Sequence, residues 1–595
     1  MHYSKIAMNL LLAGSGLTLS FSALAELRPL KPEDVVDLSG TVSMSHKQYW
    51  QGGSRHHQPI IVPYITHGPG PYAADLLIAD ENTGPQLDCP PHMMPPLGSG
   101  LPNSGYWGTL TCDKVPIWQF LGETVRIDGR KILDKAPKGV SPIFTIDMLK
   151  KTESEIGRSF APGDVVLYWS RYVDNYDLPG EAGRRLHIEP LEGKAPAFPT
   201  PNWEAQDYLG SKGVLAVALD SPSIGSFGEP DYVMRGPASI NQTPRGLETH
   251  LALFKYGGID VEGLQNFDKV PNGSLFINLA VNHVGSPTAE TRAVAIVTKD
   301  LVSVLLPAVK AHNVIDLSVP LQMDNPISWP GVGIGNYAFP YYTVDNVVSF
   351  TGPIAPYWVN THLQDSRTGT HITPPAAYSP PPGFDISKYD AKTSAWRKEY
   401  EEKFGPVVPS EMTSEKVPPH YLMGPARVID VRNLVGSTRS SEWPKSPAIT
   451  VDLIQSHEQV HGPIRAGEIV IFASGHTANH FRPLERGRIG EVIKGPLDGK
   501  QEGWPAATPE TIRYLASKGV KHVATDSPSI GSVVQKDATM TYWAGSSAGM
   551  IFTEYLLGAT RLPAKGAFYV FLNPRIENNH GGSGRSIAIL PHSTQ

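Results

Sequence analysis

The same seven residues, Asp-Ser-Pro-Ser-Ile-Gly-Ser, occur at 220–226 and again at 526–532. Each copy follows a matching lead-in, Tyr208-Leu209-Gly210-Ser211-Lys212-Gly213-Val214 in one half and Tyr514-Leu515-Ala516-Ser517-Lys518-Gly519-Val520 in the other. Earlier echoes keep the same order. Val35-Val36-Asp37-Leu38-Ser39 returns as Val314-Ile315-Asp316-Leu317-Ser318, Lys114-Val115-Pro116 as Lys416-Val417-Pro418, and Gly163-Asp164-Val165-Val166-Leu167 as Gly467-Glu468-Ile469-Val470-Ile471. Ordered self-similarity over copies this long marks a duplicated domain rather than a solenoid of short units. The chain's 595 residues likewise call for more than one folded unit. The join falls within 298–313, which divides the chain into copies at 26–305 and 306–595.

Within each copy, short β-branched runs such as Val165 to Leu167, Val214 to Leu219 and Phe276 to Leu279 alternate with helix-like stretches, Thr200 to Gly210 and Pro509 to Ser517. That alternation reads as an α/β fold. The chain holds 57 Gly and 55 Pro, a loop-rich content, yet 40% of its residues are apolar, enough to build substantial cores. A net charge of −6 offers no basic excess for tracking phosphates, so nucleic acid is not an expected partner.

At the N-terminus, Lys5 precedes a small, apolar stretch from Ile6 to Leu24, and Ala23-Leu24-Ala25 fits a small-x-small cleavage site. Residues 1–25 therefore read as a signal peptide, which predicts a periplasmic or secreted protein. No later stretch reaches the length needed to span a bilayer. Two cysteines, Cys89 and Cys112, are present; in an oxidising compartment they either form one disulfide or remain two buried thiols.

Chemistry concentrates in the segment Gly84-Pro85-Gln86-Leu87-Asp88-Cys89-Pro90-Pro91-His92, where a carboxylate precedes an imidazole by four residues in a Pro-rich loop. Its counterpart is Gly369-Thr370-His371-Ile372-Thr373-Pro374-Pro375-Ala376-Ala377. Here the sequence resembles the cyclase family of metal-dependent amide hydrolases, the kynurenine formamidase and isatin hydrolase type, whose signature is H-x-G-T-H-x-D-x-P-x-H. The resemblance runs through most of both halves. It implies two tandem copies of a cyclase-like swivelling β/β/α domain, packed as an intrachain pseudo-dimer or as part of a homo-oligomer.

Carried over position by position, the family's first two histidines fall on Asn82 and Gln86, and its aspartate and last histidine on Asp88 and His92. A later histidine and glutamate fall on His250 and Glu262. The second half has Arg367, His371, Thr373, Ala377, Tyr542 and Glu554 at these places, a degenerate site that keeps only His371 and Glu554. The resemblance thus implies one divalent metal, zinc or manganese, held in the first half by Asp88, His250 and Glu262. His92 would move protons, and Gln86 would lend an amide oxygen to metal or substrate.

Each of these residues has a plainer reading. Among 20 histidines a given one is more often a core or surface residue, Asp88 suits a turn, and Glu262 and Glu554 suit helix caps or solvent. The Asp-Ser-Pro-Ser repeats lack a nucleophile elbow and read as a structural turn. Trp107 and Tyr542 either line a pocket or fill a core. Three functions fit. The first is an exported metal-dependent hydrolase of a carbon–nitrogen bond, amide or cyclic imide, in a small molecule. The others are a metal-dependent lyase or lactone hydrolase, and a small-molecule binding protein without turnover.

Overall fold

The computed structural model describes residues 27–45, 58–134, 136–173, 189, 193–226, 249–322, 342–348, 357–481 and 492–591. The signal peptide expected at 1–25 lies outside the described residues. Each half is organised around an eight-stranded mixed sheet. In the first, Leu121–Asp128, Asp164–Trp169, Ala216–Leu219 and Ile259–Glu262 run parallel. In the second the parallel set is Met423–Asp430, Ile469–Ala473, His522–Thr525 and Ile551–Glu554. The first sheet curls back on itself, because Thr288–Ile296 pairs with Leu275–Ala280 and also with Gln86–Asp88. Its counterpart in the second half closes more weakly, through one bridge between His371 and Ser583.

The runs at Val165 to Leu167 and Val214 to Leu219 become central parallel strands and Phe276 to Leu279 an antiparallel one, each buried, which is why they read as unbroken apolar stretches. Asp164–Trp169 and Ile469–Ala473 are buried throughout. The helices Trp203–Ser211 and Pro509–Ser517 start at Asn202 and Thr508, whose side chains accept from the amides of Ala205 and Thr511. Both are followed by a glycine at φ 81°, Gly213 and Gly519. A Cβ at either would lie under 3 Å from Pro162 or Ala466, so the repeated Lys-Gly-Val is a turn that needs glycine.

The Asp-Ser-Pro-Ser repeats are also structural. The Asp220 carboxylate accepts from the amide and hydroxyl of Ser170 and the amide of Arg171. Asp526 does the same for Ser474 and the amide of Gly475. In each half the aspartate ties the ends of two neighbouring strands together.

The helix Lys299–Lys310 carries the chain between the halves, and a join at 305/306 falls inside it. The halves then interlock. Ala74–Asp80 pairs antiparallel with Val359–Asp365, placing strands of both halves in one four-stranded sheet. The largest apolar core also draws on both halves, with Leu275, Phe276 and Ile277 in the same cluster as Phe568, Val570 and Ile587. The Trp358 amide donates to the carbonyl of His92, and by pseudo-symmetry the Ala73 amide donates to that of Ala377. Cys89 and Cys112 are joined in a disulfide. Among the described residues no helix is long and apolar enough to cross a membrane.

Candidate metal centre

The segment read as a Pro-rich loop is a strand end followed by a single turn. Along Gln86–Asp88 the side chains alternate, so Leu87 enters the apolar core while Gln86 and Asp88 face the opposite side. Pro90, with its φ pre-set for helix, opens the 3-10 turn Pro90–His92. That turn brings His92 back over the strand end, with Nε2 3.7 Å from Asp88 Oδ2. Glu262 closes the parallel strand Ile259–Glu262 and stands in register with Gln86. His250 lies on the short helix Thr249–Phe254, its Nε2 3.8 Å from Asp88 Oδ2 and 3.5 Å from Glu262 Oε1. Asp88, His92 and His250 each offer a ligand atom within 4.8 Å of the other two. All four residues are buried, Asp88 and Glu262 at 0% and 1% exposure, so Glu262 neither caps a helix nor faces solvent.

Carbonyl oxygens only accept hydrogen bonds. The carbonyl of Trp358, from the second half, lies 2.9 Å from His92 Nδ1, so that nitrogen carries a proton. In the neutral ring the lone pair is then on Nε2, directed at the Asp88 side. Gln86 donates from Nε2 to Glu262 Oε2 at 2.8 Å, and the Ile224 amide donates to Oε1 at 2.6 Å. Gln86 thus orients Glu262 through its NH₂ group. Among the described residues, Asp88 Oδ2 accepts no hydrogen bond. Burial pushes the carboxyls of Asp88 and Glu262 each up to about 8. A buried carboxylate oxygen without a donor, set among imidazoles within ion-pair range, is the environment a divalent cation would satisfy, and the mixed nitrogen and oxygen donors fit one.

The equivalent place in the second half is closed. His371 Nε2 lies 3.1 Å from Glu554 Oε2, and Nδ1 faces the carbonyl of Gly369. Both ring nitrogens thus face acceptors. Glu554 also accepts from Thr373, from the Ile530 amide and from the hydroxyl of Tyr542. Tyr542 stacks on Tyr378, and the Arg367 guanidinium lies over Tyr378 and Tyr72. Burial pushes the Glu554 carboxyl up, but its hydrogen bonds outweigh that and hold it below the ordinary value. Tyr542 therefore belongs to this closed site. Trp107 packs beside Met93, Met94, Leu251 and Phe254, under the first-half centre.

Two features of the first half were not anticipated. Asp260, two residues before Glu262, stands opposite Asp88 in the sheet; an acidic residue at the same parity as Glu262 in a short strand is the signal that points to it. The second half also reaches in with Tyr357, Trp358, Asn360 and His362. Tyr357 packs on His92, and His362 bonds Glu81 at 2.6 Å and stacks on His283. No local pattern announces contacts across so much chain.

The family model described as putative cyclase matches residues 36–226 and 315–532. A curated isatin hydrolase of Roseibium aggregatum is 26% identical over 186 residues, 29% of this chain and 65% of the relative. The match therefore spans just under two thirds of that relative's length. Among solved structures, isatin hydrolase A from Labrenzia aggregata bound to benzyl benzoate is 19% identical at a TM-score of 0.35, covering 47% of this chain and 94% of its own. An isatin hydrolase bound to the product analogue thioisatinate is 19% identical at a TM-score of 0.37, covering 50% and 99%. A potential metal-dependent hydrolase with cyclase activity is 17% identical at 0.28, covering 46% and 96%.

Proposed function

This chain belongs to the putative cyclase family, and from that premise we propose that it is an exported, divalent-metal-dependent hydrolase opening a carbon–nitrogen bond, amide or cyclic imide, in a small molecule. The observation that carries the reading is the buried convergence of Asp88, His92, His250 and Glu262 around a carboxylate oxygen without a hydrogen-bond donor among the described residues. Asp88, His250 and Glu262 would hold the metal, zinc or manganese. When bound, such an ion polarises a carbonyl and makes water acidic enough to supply hydroxide near neutral pH.

The chain's own residues do the rest. His92 Nε2 carries the lone pair that accepts a proton from attacking water, and the same ring returns it to the departing nitrogen. The Trp358 carbonyl keeps the ring in that orientation through both transfers, so the second half serves the first. Gln86 and the Ile224 amide fix the Glu262 carboxylate. Closure of the strands around the site excludes bulk water. The balance is that of hydrolysis: hydroxide joins the carbonyl carbon, the C–N bond breaks, and the nitrogen leaves with a proton.

The test is metal content of the mature protein purified without chelator, alongside His250→Ala, with ring opening of isatin, the substrate named for the relative, followed by absorbance. About one zinc or manganese per chain, lost in His250→Ala together with turnover, is the expected result. A chain that takes up neither metal overturns the reading and leaves a binding protein. Metal uptake with turnover of lactones alone would move the reaction class.

A further inference from the structure

Asp260 has no role in the scheme above, and its surroundings demand one. It sits in the strand Ile259–Glu262 directly opposite Asp88, two residues before Glu262. Residues opposite one another, or two apart, share a face of the sheet, so the three carboxyls project to the same side. Asp260 is 0% exposed, and neither of its carboxylate oxygens accepts a hydrogen bond among the described residues. The charged groups that act on it are Glu262 and Asp88, both acidic. Once ionised, like charges set directly opposite one another in a sheet repel, and a buried carboxylate without donors has lost its water for nothing in return.

The fold does not need an acid here. In the second half Phe552 stands opposite Thr373 as Asp260 stands opposite Asp88, and it packs into an apolar cluster. The nearby Tyr168, whose hydroxyl also lacks a partner among the described residues, has Phe472 in the corresponding place of the repeated strand. A phenylalanine is thus accommodated where the cation-binding set is absent, and an unpartnered carboxylate persists where that set is present.

We propose that Asp260 is a further carboxylate ligand of the cation held by Asp88, His250 and Glu262, supplying the negative charge and donor atoms that the neutral amides of Asn82 and Gln86 do not. The inference rests on the metal-site reading above. It makes the centre an oxygen-rich one, three carboxylates to the imidazoles. It also gives the cation a second role, that of allowing Asp88 and Asp260 to ionise side by side across the strand pair.

The experiment titrates manganese(II), or zinc(II) where the wild type takes up no manganese, into metal-free full-length protein by calorimetry at pH 8, for the wild type, Asp260→Asn and Asp260→Ser, and records thermal unfolding with and without the ion. The expected result is at least tenfold weaker binding of that ion in both variants, while their metal-free forms unfold at a temperature equal to or above the wild type's. Asp220→Asn, in a buried carboxylate that ties strand ends together, is the control: it lowers the unfolding temperature and leaves affinity for the ion unchanged. Affinity for the ion within twofold of wild type in Asp260→Asn overturns the inference and leaves the metal site standing. A wild type that binds no manganese and no zinc overturns both.

Discussion

The two halves place a glutamate at the same strand end, and they surround it with different numbers of donors. Glu554 receives hydrogen bonds from His371, Thr373, Tyr542 and the Ile530 amide. Glu262 receives the same amide bond, here from Ile224, plus one from Gln86. Asp88, His92, His250 and Asp260 occupy the places of Thr373, Ala377, Tyr542 and Phe552. The consequence is a reversal: the Glu262 carboxyl is pushed up to about 8, while Glu554 is held below its ordinary value. One backbone thus supports a collapsed, internally paired site and an electrostatically incomplete one. Incompleteness costs stability, so it persists where a ligand completes it.

The largest effect should come from equivalent substitutions on either side of that comparison. Asp88→Ala is expected to abolish metal uptake and lower turnover by about 100-fold or more, beyond the cost of losing a residue that only orients a metal ligand. Thr373→Ala should leave both within a factor of about two by the same measure. Equal losses from the two variants would mean that the halves share one function. Acid sharpens the contrast. Asp88 and Glu262 have folded pKa values raised above those of the unfolded chain. The folded, metal-free protein therefore holds protons that the unfolded chain releases, and its stability falls as pH rises from about 4 to about 8. A cation must displace those protons, so its affinity should weaken by about tenfold or more per pH unit below 8. Calorimetry at several pH values reads this directly, and a pH-independent affinity would contradict ionisation of these two carboxyls on binding.

Much of this is legible in the residues alone. The duplication is literal in the sequence, and the parallel strands it predicts pair in the same register in both halves, Thr124 opposite Val165 as Ala426 opposite Ile469. Leu87 between Gln86 and Asp88 follows strand alternation, and the spacing to His92 follows from the two prolines. Asp260 escaped because its meaning depends on which residue lies opposite, and register is a property of paired strands. The Trp358 carbonyl escaped because a backbone acceptor has no residue type to recognise, and it meets His92 across 266 positions. The cysteine pairing stayed open because two cysteines fit a bonded and an unbonded reading equally; geometry decided it.

A smaller effect separates the two glutamates as structural residues. Glu554→Gln leaves the donors around it facing an amide NH₂, and the cost should be about 2 kcal/mol for poorly paired buried groups. Glu262→Gln removes a carboxylate whose ionisation opposes folding, so at high pH the metal-free protein should be as stable as wild type or more so. Denaturant unfolding of both variants, stripped of metal, checks the opposite signs. Destabilisation by Glu262→Gln equal to that by Glu554→Gln would show that the first-half glutamate is structural as well.

The smallest effect concerns the bond that only the first half carries. Cys89 lies between Asp88 and Pro90, with Pro374 at its counterpart, and Cys112 answers to Ser414. The backbone needs no covalent tie to take this shape: the Cys112 amide donates to Ser286, and the Ser414 amide donates to Asn579 in the same way. What differs is the neighbouring load. At Thr373 and Ala377 the second half has no ionisable side chain, whereas the strand end bearing Asp88 faces Glu262 and Asp260 and must hold protons to stay folded when the cation is absent. The disulfide would then hold the ligand strand in place through cycles of metal loss. Replacing both cysteines with serine should lower stability by about 2–3 kcal/mol through the unfolded chain. The larger part of the signature should appear without metal, with affinity for the ion reduced only about threefold to tenfold, since each factor of ten is about 1.4 kcal/mol. Equal destabilisation with and without metal would mean that the bond serves the fold alone, and that the backbone contacts common to both halves suffice to aim Asp88.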